Sequence, residues 1–117
     1  TKGIDIIKGT VESIKKFNIN KKKIIIPHIG WCKIVSTNQI RNNKNPLFKD
    51  LSEEDYFYFV HSFICKPKNK DHILYQTKYE NIKITGIHGN KNVYGFQFHP
   101  EKSGLSGLKL LQNFLLL

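Results

Sequence analysis

The sequence has no methionine, one arginine (Arg41), one tryptophan (Trp31) and two cysteines. Acids are scarce as well, nine against 19 lysines and arginines, which leaves a formal net charge of +10 at pH 7. Each shortage excludes something. A chain that starts at Thr1 and contains no methionine lacks an initiator, so it is expected to be a segment of a longer product. Cys32 and Cys65 are too few and too far apart for a disulfide framework, and their spacing offers no metal site; both are read as reduced thiols, and no metal or other cofactor is expected. There is no run of about 18 apolar residues and no basic, apolar, small-residue leader, so neither a membrane span nor a signal peptide is expected and the chain reads as soluble and cytoplasmic. A positive charge of this size attracts polyanions, which keeps a nucleic-acid-binding module as one hypothesis. The near absence of arginine argues against specific recognition, because the guanidinium fork is the usual contact to base edges and phosphates.

What the chain does have is β-branched and aromatic residues in short runs. At 117 residues it is one domain or part of one. Residues 1–20 read as a hairpin, with Ile4, Ile6 and Ile7 running into Gly9 and a second strand over 10–17. Lys21, Lys22 and Lys23 read as a solvated loop. Ile24, Ile25 and Ile26 form a β-branched run stopped by Pro27, which predicts an edge or terminating strand. Residues 36–54 are irregular, rich in asparagine at Asn38, Asn42, Asn43 and Asn45, with one helical turn over 47–51. Residues 55–62 predict a strand with Phe57, Phe59 and His61 on one face. Two more antiparallel strands follow over 72–79 and 83–88, then a turn at 89–92. Ser103 is the expected N-cap of a closing helix whose stripe of Leu105, Leu108, Leu111, Gln112 and Leu115, widened by Leu110 and Phe114, is expected to be core. Short strands at this spacing with one helix predict a β-rich α+β piece.

The histidines and cysteines divide. Alternation of Tyr94, Phe96 and Phe98 predicts a half-buried final strand that stops at His99, because Pro100 fixes φ and has no N–H to extend a ladder. Glu101 then lies two residues on from His99. An imidazole held by a carboxylate is fixed in one tautomer and made more basic, which is what a general base serving a nucleophile requires. The bland alternative is a solvated His and Glu at the start of a loop. The nucleophile itself is missing: Cys32, followed by Lys33-Ile34-Val35, and Cys65, inside an apolar run, both lack the flanking glycines of a strand-to-helix elbow. His28 reads as a satisfied, partly buried histidine without chemistry, and His72 and His88 as surface histidines. Trp31 reads as core packing or, if exposed, as an interface residue.

The stretch Gly95-Phe96-Gln97-Phe98-His99-Pro100-Glu101-Lys102-Ser103-Gly104 closely resembles the end of the glutaminase domain of class I glutamine amidotransferases, most specifically the amidotransferase subunit of imidazole glycerol phosphate synthase. Pro27-His28-Ile29-Gly30-Trp31 and Tyr58-Phe59-Val60-His61-Ser62 resemble two further segments of that family, in the same order and spacing. The resemblance implies an α/β fold, of which this chain is the β-rich C-terminal half, 1–117, ending in one helix, with a Gly-x-Cys-x-Gly elbow in an upstream half that is absent here. It implies that His99 is the general base and Glu101 its orienting partner. It further implies that His61, Ser62 and Phe63 contact glutamine, and that Trp31, Tyr58 and Lys102 face a cyclase subunit. Cys32 stands where the family usually has asparagine, and Phe63 where it usually has tyrosine. Those departures leave an amidotransferase of another pathway, such as surface-sugar amination, as an alternative beside the nucleic-acid-binding module.

Overall fold

The computed structural model describes residues 1–19, 23–37 and 44–117. Lys21 and Lys22 of the expected lysine loop, and Asn38, Arg41, Asn42 and Asn43 of the irregular stretch, lie outside the described residues. Among the described residues, eight strands and one α-helix follow one another: β1 Gly9–Ser13, β2 His28–Lys33, β3 Val35–Ser36, β4 Tyr56–His61, β5 Phe63–Pro67, β6 Ile73–Tyr79, β7 Ile82–Asn90, β8 Val93–Phe96 and α1 Gly104–Leu115. They pair, always antiparallel, as β1 with β5, β2 with β4, and β3-β6-β7-β8 in a four-stranded sheet. The described residues, rich in strands with one helix, fit a piece of an α/β domain, as expected.

The β6–β7 hairpin turns at Glu80 and Asn81, which adopt φ of 48° and 66°. Two successive positive φ values give the turn whose twist matches that of the flanking strands. β4 supplies the centre of the core. Phe57 and Phe59 are fully buried on one of its faces, and Phe98 wedges against both, with ring centroids 4.4 and 5.6 Å away. Ile14, Ile34, Ile64, Ile84, Ile87 and Leu110 complete the packing.

Several expectations fail, among them the final strand, which ends at Phe96 short of His99, and His88, whose ring is partly buried rather than at the surface. Residues 4–7 form no strand and the first hairpin does not exist: β1 pairs instead with β5, and residues 14–17 tighten into a 3-10 turn capped by Ser13. The Ile24–Ile26 run is not a strand. The strand begins after Pro27, at His28, where N–H groups for the ladder resume. Ser103 stands at the N-cap position of α1 but makes no capping bond, because its hydroxyl is committed elsewhere. Finally, the leucine stripe of α1 is not core. Leu105, Leu108, Leu111 and Leu115 are all exposed, at 84, 49, 38 and 80%.

The opposite, small and polar side of the helix does the docking. Gly107 lies so close to the turn below that a Cβ there would sit 1.9 Å from the Pro100 carbonyl oxygen. Ser106 Oγ donates to Asp55 (2.8 Å), and the Asn113 carboxamide donates to the carbonyls of Leu47 (3.1 Å) and Lys49 (2.9 Å). With Leu110, these residues fall at the three- and four-residue steps of one helical face. Glycine at the closest approach and hydrogen bonds along the rest set the rotation of α1, which turns the leucines outward.

Candidate functional site

β8 ends at Phe96 and the chain bends toward β4. The Phe98 ring is buried in the core, so the next residue is delivered to the surface at a fixed point. Every backbone polar group of His99 is then engaged. Its N–H donates to the Tyr58 carbonyl (3.0 Å), and its carbonyl accepts from Lys102 N–H (3.1 Å) and from the Ser103 hydroxyl (2.6 Å). The same Ser103 hydroxyl accepts from Tyr58 N–H at 2.9 Å. The hydroxyl expected to cap the helix therefore clasps the motif to the middle of β4. Pro100 opens a 3-10 turn, Pro100–Lys102, and that turn swings Glu101 back beneath the imidazole.

The outcome is an ion-pair contact of 2.8 Å between His99 Nδ1 and Glu101 Oε1. A carboxylate accepts only, so Nδ1 carries the hydrogen and Nε2 is left as the basic nitrogen. The carboxyl of Glu101 is held below its ordinary range, first by its own backbone N–H and then by His99. Its lowered pKa favours the carboxylate form. Both side chains are open to solvent, 40 and 58% exposed.

β4 carries two further groups of residues on opposite faces. On its outer face Tyr58 lies opposite Trp31 in register, with ring centroids 5.7 Å apart. Trp31, Ile29 and Tyr56 are at least half exposed there, a contiguous apolar and aromatic surface of the kind that marks an interface. Lys102 is exposed on the turn just before the Ser103 clasp. On its inner face, His61 pairs in register with His28, and the turn at Ser62 leads into Phe63 on β5.

His28 is a satisfied, buried histidine, as expected, and both of its ring nitrogens have partners. Its ring is 2% exposed, stacked between Tyr79 (4.2 Å) and Phe59 (5.4 Å). Its Nδ1 lies 2.9 Å from His61 Nε2, its Nε2 lies 3.4 Å from the Cys32 thiol, and His61 Nδ1 lies 2.8 Å from the Phe63 carbonyl. Burial lowers the pKa of His28 to about 4, with the charge of His61 as a smaller cause, and burial lowers that of His61 too. A signal was present in the sequence: four residues apart on a strand, His28 and Cys32 share a face.

Neither cysteine is prepared for nucleophilic attack. Burial raises the pKa of both thiols, against which a Thr77 hydroxyl works only partly at Cys32. A raised pKa means less thiolate, and the thiolate is the nucleophile.

The family model for class I glutamine amidotransferases matches residues 10–117. This chain belongs to that family. The amidotransferase-like chain is 39% identical over 113 residues to imidazole glycerol phosphate synthase subunit HisH 1 of Legionella pneumophila, covering 97% of this chain and 53% of the relative. It is 44% identical over 115 residues to the subunit HisH 1 of Methanococcus maripaludis, covering 98% and 51%. Against the subunit HisH of Buchnera aphidicola the identity is 40% over 114 residues, covering 97% and 53%. The chain thus spans about half the length of the curated relatives it matches. No helix among the described residues is long and apolar enough to cross a membrane.

Proposed function

We propose that this chain is the base-carrying, C-terminal half of a glutaminase domain that hydrolyses the side-chain amide of glutamine and passes the ammonia to a synthase partner, as in imidazole glycerol phosphate synthase of histidine biosynthesis. The observation that carries this reading is the His99–Glu101 contact at 2.8 Å on a fully hydrogen-bonded turn. The upstream half is taken to supply a cysteine on a Gly-x-Cys-x-Gly elbow. His99 Nε2 accepts the thiol proton, the thiolate adds to the carboxamide carbon, and the imidazolium returns the proton to nitrogen as the C–N bond breaks and ammonia leaves. Water activated by the same Nε2 then cleaves the thioester to glutamate. Glu101 stabilises the imidazolium in both steps.

His61, Ser62 and Phe63 are assigned to glutamine binding. They span the end of β4, the bend at Ser62 and the start of β5. Phe63 has no hydroxyl to add to them and stands 56% exposed. Trp31, Tyr58 and Lys102 are assigned to the synthase interface. The outward aromatic pair supports this, and so does the fact that the backbone of Tyr58 holds both His99 and Ser103. The solvent-facing leucines of α1 and the length of the relatives support the reading of the chain as part of a larger domain. A chain of this kind acts in whichever compartment holds its partner, and the cytoplasm fits the biosynthetic relatives.

The test replaces His99 and Glu101 separately with alanine in the full-length amidotransferase. His99→Ala is expected to lower glutamine turnover by about 10²–10⁴, the usual worth of a general base. Glu101→Ala is expected to cost less, since it loosens the imidazole without removing it. Wild-type rates for both variants would remove the pair from the mechanism.

A further inference from the structure

Three contacts around His28 admit one direction of hydrogen bonding. The Phe63 carbonyl oxygen accepts only, so His61 Nδ1, 2.8 Å away, carries the hydrogen. In a neutral ring this leaves His61 Nε2 as an acceptor, and His28 Nδ1, 2.9 Å away, must be its donor. His28 Nε2 is then an acceptor in turn, and the Cys32 thiol at 3.4 Å donates to it. Protons therefore sit in one order along Cys32, His28, His61 and the Phe63 carbonyl. Both rings are held as the Nδ1–H tautomer.

The chain of bonds ends where the glutamine-contact segment begins. β4 closes at His61, Ser62 makes the turn, and Phe63 opens β5. The carbonyl of Ser62 is tied from the other side by Ile14 N–H at 3.0 Å. His61 is a partly buried ring at the end of β4, and the Phe63 carbonyl holds only its Nδ1 side. It gains a fixed plane because His28, wedged between Tyr79 and Phe59, meets its Nε2. Tyr79 is itself tethered by its hydroxyl to the Ile25 carbonyl at 2.5 Å.

We propose that His28 is a positioning residue for glutamine binding: through its Nδ1–H it orients His61, and His61 in turn fixes the Ser62–Phe63 backbone that the substrate meets. This rests on the reading of 61–63 as the glutamine-contact segment. His28 touches neither substrate nor reacting atoms, so its removal weakens binding and leaves the proton transfers of His99 in place.

Two variants in the full-length amidotransferase with its synthase partner separate positioning from packing. In His28→Asn the carboxamide nitrogen occupies the place of Nδ1 and can still donate to His61. In His28→Phe the stacking with Tyr79 and Phe59 is kept and the donor is lost. The proposal expects His28→Phe to raise the glutamine KM about tenfold, the worth of one such bond, with kcat changed little, and His28→Asn to stay near wild type. A packing role predicts the reverse order, and that order in folded variants would overturn the proposal. An unchanged KM in folded His28→Phe would do the same.

The relay itself is read without substrate, by nitrogen-15 NMR of the histidines in the full-length protein. His28 and His61 should both show a protonated Nδ1 and a bare Nε2. An Nε2–H tautomer at either ring breaks the chain of donors and overturns the proposal whatever the kinetics give. If instead the tautomers are as expected while His99→Ala keeps full glutaminase activity, the fault lies with the glutaminase reading and not with the relay.

Discussion

His99 and His28 show how the same side chain takes opposite tasks from its surroundings. His99 is open to water with a carboxylate at Nδ1, which leaves its Nε2 facing solvent on the proposed reading. His28 is sealed between rings with no carboxylate among its described contacts, so burial holds it neutral, with its pKa lowered from 6.5 to about 4. Between those two pH values an unfolded chain binds a proton at His28 that the folded chain does not. Stability therefore rises with pH across this window and is lost as pH falls toward 4. His61 and His88, whose pKa values burial also lowers, act in the same direction. We expect the unfolding free energy of the full-length protein, and with it the urea midpoint, to fall as the pH is lowered from about 6.5 toward 5, by up to about 1.4 kcal/mol per pH unit for His28, with His61 and His88 adding in the same direction. His28→Asn should flatten that dependence. A midpoint that is constant or rises on acidification would contradict the burial of a neutral ring.

At the scale of elements, the sequence was most legible where local chemistry decides. Alternation located β4, β6 and β7 within one or two residues, and proline after His99 predicted the turn that brings Glu101 beneath it. It was least legible where a distant contact decides. β1 looks like the second arm of a hairpin until β5 takes its ladder, and β2 is interrupted in pattern by Gly30. β5, Phe63–Pro67, reads as an apolar run with no partner in view. Helix α1 is the sharpest case: its leucine stripe marks an apolar face, and nothing local says which way that face points. Gly107 decides it. In Gly107→Ala the new methyl meets the Pro100 carbonyl, a backbone atom that cannot move without shifting the His99–Glu101 turn. Alanine is favoured over glycine in a helix by about 1 kcal/mol, yet overpacking costs roughly 1–3 kcal/mol. The expected result is a net loss of stability together with lower glutamine turnover. A variant more stable than wild type with full turnover would show that the helix does not bear on the turn.

At the scale of the whole molecule, apolar surface is exposed among the described residues on two faces in particular. One is the outer face of β2 and β4 with Ile29, Trp31 and Tyr56; the other is the leucine side of α1. Surfaces of this kind belong against other protein. On the proposed reading the first meets the synthase subunit, so Trp31→Ala should weaken association with that subunit about tenfold or more, as an aromatic hot spot does. Folding of the domain should be preserved, because half of the Trp31 side chain is already in water. Circular dichroism and a titration with the partner separate the two effects. Loss of fold with undiminished affinity in the folded remainder would make Trp31 a packing residue.

The central claim is that this chain holds the general base of a glutaminase and not its nucleophile. Its most direct test is to incubate the 117-residue chain with glutamine and with a glutamine-analogue electrophile, measuring ammonia release and searching for a covalent adduct by mass spectrometry. The two thiols present are buried enough to have raised pKa values, and one of them lies 3.4 Å from His28 Nε2. The account predicts no ammonia and no adduct from the chain alone, and ammonia release once an upstream half bearing the Gly-x-Cys-x-Gly elbow is added. Turnover of glutamine by the chain alone, or labelling of Cys32 or Cys65 that His99→Ala abolishes, would contradict it.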